Sequence, residues 1–132
     1  MSPQAQQIIA IVQRLATEHN AFLPAGPGAG NNVTNRIMDA ANAEVAALLG
    51  EAVIEKAFVE GVRQNVDFYL EASKEVIEVE LSLSNPYPCL EKDSFKILVA
   101  RVEGHEIERL IIVGDPGCAK RMAAPAPQGI IN

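Results

Sequence analysis

Two repeat lengths divide the chain: apolar residues recur every three to four positions up to residue 50, and in the segment that follows they alternate. Ile8, Ile9, Val12, Leu15 and Ala16 make one stripe at helical spacing. Ser2-Pro3 precedes them, a capping residue followed by an imino acid whose missing N–H costs nothing in a first helical turn. The pattern predicts a helix to about His19, then a connector in the Gly- and Pro-rich AFLPAGPGAGNN. A second helix is predicted with Asn31 or Asn32 as its cap, Ile37, Met38, Ala41, Val45, Leu48 and Leu49 on its apolar side, and Gly50 at its end.

Beyond Gly50 the period of two predicts a strand around Lys56 to Val62, then one over Val66 to Glu71, then one in KEVIEVELS, Lys74 to Ser82. Short turns between them make an antiparallel meander. Asn85-Pro86-Tyr87-Pro88 interrupts the sheet, and Cys89 to Glu103 reads as a helix with Leu90, Phe95, Leu98 and Val102 buried and Gly104 as its stop. Ile107 to Val113, IERLIIV, has five apolar residues in seven, the composition of a strand covered on both faces. Asp115-Pro116-Gly117 turns the chain into a tail with room for one short helix. The order αα-βββ-α-β predicts an α/β fold with a mixed sheet flanked by helices, because a strand that arrives by a helical crossover normally pairs in parallel.

Composition narrows the class. With 132 residues, 48% of them hydrophobic and 21% charged, the chain suits one folded domain spanning 1–132. No apolar run approaches the roughly 20 residues of a membrane helix, and MSPQAQQ lacks the features of a signal peptide, so a soluble cytoplasmic protein is expected. A net charge of −6 argues against a grip on nucleic acid by bulk charge alone. Cys89 and Cys118 have no CxxC spacing and read as buried thiols, and His19 and His105 form no HxxxH pair, which removes the usual zinc patterns. AGPGAGNN follows no strand and lacks the Gly-Lys-Ser/Thr ending of a phosphate loop, so it reads as a flexible connector.

Candidate chemistry lies in the meander. In KEVIEVELS, Ile77, Val79 and Leu81 share one face and Val76, Glu78, Glu80 and Ser82 the other, while Val66, Phe68 and Leu70 take the apolar face of the preceding strand. Matching the apolar faces across a hairpin turned at Ala72-Ser73-Lys74 sets Asp67 opposite Glu78 or Glu80. Opposed Cβ atoms lie about 4.5–5.5 Å apart, so Asp67, Glu78 and Glu80 are expected to converge. Like charges so placed repel, and a Mg²⁺ or Mn²⁺ ion would offset that. The bland alternative is a solvated, metal-free sheet face. Tyr69 shares that side, either to orient a ligand or to cover the sheet.

Asp67, ten intervening residues and then Glu78-Val79-Glu80 in an apolar strand, followed by KDSFK in a helix and IERLIIV, resemble the PD-(D/E)xK nuclease superfamily over approximately 66–114. With Glu80 in place of the motif lysine, the segment is similar to the BamHI and BglII branch of restriction endonucleases. The resemblance implies a restriction endonuclease-like core and metal ligation by Asp67, Glu78 and the carbonyl of Val79. It further implies that Glu80 orients or deprotonates the attacking water and that Glu44 is a further acid from the preceding helix. Lys92 or Lys96 would supply the positive charge of the absent motif lysine. Val66 stands where the motif has proline, and the chain has little room for the base-reading elements of longer restriction enzymes. Three readings follow: a Mg²⁺-dependent DNA phosphodiesterase acting as a homodimer, an inactive restriction-fold protein that binds nucleic acid or a protein, and an interaction module without a nucleic-acid role.

Overall fold

The computed structural model describes residues 1–19, 29–57, 65–81 and 87–114, without the side chains of 29–32, 56–57 and 87–93. Ser2 opens the first helix, α1 (Pro3–Glu18): its backbone is extended and its hydroxyl accepts the N–H of Ala5 at 3.1 Å. Ala5, Ile8, Val12, Leu15 and Ala16 form the buried stripe, as the spacing predicts. Helix α2 (Ala29–Leu49) begins two residues before the first expected cap. It ends at Gly50, where φ is +96° and the N–H returns to Ala46 O at 3.0 Å. Ile37, Ala41 and Val45 are buried, whereas Leu48, expected in the same stripe, is exposed.

A 3₁₀ turn (Glu51–Val53) leads into β1 (Ile54–Ala57), which starts two residues before the expected strand, and residues 58–62 of that expectation lie outside the described residues. Strands β2 (Asn65–Leu70) and β3 (Glu75–Glu80) form the hairpin, α3 (Tyr87–Val102) crosses over, and β4 (Arg109–Gly114) follows. The sheet order is β1-β2-β3-β4, with β1, β2 and β3 antiparallel and β4 parallel to β3. The protein is therefore α/β with a mixed sheet, as the element order predicts. No helix among the described residues is long and apolar enough to cross a membrane. The expected tail helix, Cys118 and the Cys89 side chain lie outside the described residues.

Helices cover both faces of the sheet. On one, α1 and α2 pack with Phe68, Leu70, Ile77, Val79, Leu81 and Val113. On the other, Ile97 and Ala100 of α3 pack with Val66, Tyr69, Val76 and Ile107. This corrects the expected phase of α3: Phe95, Leu98 and Val102 are 55, 59 and 79% exposed. Apolar residues lie on two sides of this helix, and the sheet takes the side on which small Ala100 permits close approach. β4 is less buried than IERLIIV suggests, with only Val113 of Arg109–Gly114 fully buried, because it is the last strand in the sheet order.

The hairpin also anchors α1. Glu75, 3% exposed, accepts the N–H of Ser2 at 3.1 Å, which sets a carboxylate at the positive end of the helix. Burial pushes its pKa up, but hydrogen bonds from Ser2 and Ser73 outweigh that and hold it below the ordinary glutamate value. A carboxyl with a depressed folded-state pKa contributes stability above its unfolded pKa and loses it as the pH falls through the folded value. Glu75→Gln is expected to lower stability by about 1–3 kcal/mol at pH 7 and by less near pH 3. Urea unfolding at the two pH values measures this, and an equal loss at both would refute it.

Candidate functional site

The β2–β3 register runs Phe68↔Ile77, Tyr69↔Val76 and Leu70↔Glu75, and one further step sets Asp67 opposite Glu78, one of the two alignments predicted. The regular pairing stops there. Asp67 Oδ2 accepts the N–H of Val79 at 2.7 Å, so a side chain takes a main-chain donor of β3. On the β1 side, Ile54↔Phe68 and Lys56↔Val66 pair around Asp67, with Glu55 between them at φ +50°. The face alternation breaks at the same point: Val66 packs on the α3 side, while Phe68 and Leu70 pack on the α1–α2 side. The expectation that Val66, Phe68 and Leu70 share a face is thus corrected, and the left-handed backbone at Glu55 beside Asp67 marks where the pleat is lost.

Glu78 does not lie on an open face. It is 3% exposed, on the side of the sheet roofed by α3. Lys96 Nζ donates to Glu78 Oε1 at 3.3 Å and to the carbonyl of Asn65 at 3.1 Å, with the lysine and glutamate side chains only 13 and 4% exposed. One ammonium therefore ties α3 to both β2 and β3 beside Asp67. Of the two lysines weighed from the sequence, Lys96 is the one seen at the acids, and the Lys92 side chain lies outside the described residues. The signal for Lys96 was its place next to Ile97 and one turn before Ala100, once these are known to be the buried stripe.

The remaining candidates sit as follows. Glu80, half-buried, ends β3 in register with Gly114. Val79 packs its side chain in the core and gives its N–H to Asp67. Glu44 is not brought to this group: both of its oxygens engage Arg14, joining α2 to α1 in the layer across the sheet from α3. Tyr69 covers the sheet, its hydroxyl donating to Glu106 O at 3.3 Å. Burial and the charges of Glu71 and Glu106 push its pKa up.

Among the described residues no group of three or more His, Cys, Asp or Glu side chains is placed to hold a metal ion, so the expected convergence of Asp67, Glu78 and Glu80 is not formed there. The donors that are present still fit a hard cation. Asp67 keeps a second oxygen besides the one on Val79, Glu78 is its register neighbour, and Mg²⁺ needs only one or two carboxylates beside its waters. No protein-family model, curated protein or solved structure matches the chain.

Proposed function

We propose that the protein is a Mg²⁺-dependent nuclease with a restriction endonuclease-like core, hydrolysing DNA phosphodiester bonds at Asp67 and Glu78 and acting as a homodimer. The observation that carries this reading is the grouping of Asp67, Glu78 and Lys96 where the hairpin pairing stops. Two acids and a lysine on adjacent elements are the residue types that phosphodiester hydrolysis uses: carboxylates to hold the ion, an ammonium to meet the charge on the phosphate. The meander followed by a parallel fourth strand agrees with that core. Asp67 and Glu78 would hold the ion, with Glu80 at the strand end to orient water. The bound ion supplies an acidified water and neutralises charge on the leaving oxygen.

Supercoiled plasmid with Mg²⁺ or Mn²⁺ tests this. Nicking is expected from the wild-type protein, with loss in EDTA and a reduction of at least about 100-fold in Asp67→Asn and Glu78→Gln, the scale of removing a group that acts on the transition state. No cutting of plasmid, linear duplex or single-stranded DNA would overturn the proposal. A second reading, a protein of this fold that binds nucleic acid without cutting, is favoured by the hold of Lys96 on Glu78 and the lack of a three-residue metal group among the described residues. It expects a gel shift that weakens steeply with salt, without cleavage.

A further inference from the structure

We infer that Lys96 is a built-in counter-ion that competes with a divalent cation for Glu78, giving the site a lysine-closed and a metal-open form. This rests on the metal reading above and adds a gate to it. Lys96 Nζ is held by a carboxylate oxygen of Glu78 and a carbonyl oxygen of Asn65. Both are hard oxygen donors of the kind that Mg²⁺ and Mn²⁺ take.

A carboxylate as deeply buried as Glu78 is costly without a compensating charge, and in the closed form the ammonium supplies it. Asp67, with one oxygen on Val79, offers the neighbouring acid. A divalent ion bound between the two acids sets like charge against the Lys96 ammonium, so the two exclude each other. Only the lysine can leave without moving the backbone, because its four-carbon stem can carry Nζ towards solvent while α3 stays on the sheet through Ile97 and Ala100. The released ammonium is then available to a phosphodiester only when the metal is in place.

Mn²⁺ binding to the full chain, followed by calorimetry at fixed pH and ionic strength, tests the gate. Lys96→Met is expected to bind Mn²⁺ at least about tenfold more tightly than wild type, the ratio that 1.4 kcal/mol of relieved competition produces. Equal or weaker binding would overturn the gate and leave the metal site standing, whereas no binding to either protein would overturn the metal reading and the gate with it. A measurement on the wild-type chain needs no variant. Acylation of Lys96 by an amine-reactive ester, read by peptide mass, is expected to be slow in EDTA and several-fold faster in Mn²⁺. An unchanged rate in protein that binds Mn²⁺ would overturn the gate.

Discussion

Lys96→Met is expected to cost about 3–5 kcal/mol of stability in EDTA, because it leaves the Glu78 carboxylate buried with its ammonium removed. Glu78→Ala is expected to cost less, about 1–3 kcal/mol, the range for a polar group that loses its partner. The difference is one of reach: Glu78 is short and fixed to a central strand, whereas the lysine stem can take its charge to water. The double change Glu78→Leu with Lys96→Met removes both charges and is expected to recover most of the loss, since apolar replacement of a whole buried pair is often neutral. Urea unfolding of the four proteins closes the cycle. A cost below about 1 kcal/mol for Lys96→Met would mean that the pair is hydrated and does not clamp α3 to the sheet.

Phe68→Ala is expected to cost about 3–5 kcal/mol, the range for removing a buried aromatic ring from a packed core. Phe68 is wholly buried on β2, between the sheet and the α1–α2 layer, paired through Ile77 to β3 and through Ile54 to β1. Its neighbours are held by both adjacent strands, so the cavity cannot collapse cheaply. Leu98→Ser on α3 is the contrast. Helical periodicity places Leu98 in a core, but it is 59% exposed, and the substitution is expected to stay within about 0.5 kcal/mol of wild type. A large loss at Leu98 together with a small one at Phe68 would mean that the two faces of α3 are exchanged.

These contrasts show where the sequence is a sufficient guide. α1 was legible because Ser2, Pro3 and the Ile8–Val12–Leu15 stripe act within a few residues of one another. The hairpin register was legible to within one step, because matching apolar faces and a short turn leave few alignments. The exposure of Glu78 was not legible. It depends on α3 returning over that face after Pro86, and the spacing of the glutamates in KEVIEVELS is the same whether water or a helix covers them. Glu44 failed for the same reason: helical phase gives its angle around α2 but not the nearness of Arg14 on α1.

Sequence by itself therefore determined the order of elements, the mixed sheet and the neighbouring positions of Asp67 and Glu78 on adjacent strands. Tertiary structure alone decided that α3 turns Ile97 and Ala100 inward, that Lys96 comes down with them onto Glu78, and that Asp67 takes the N–H of Val79 where the pleat breaks. Local periodicity records which residues share a face, while burial and partner charge depend on the element that covers that face, which packing across the whole chain selects.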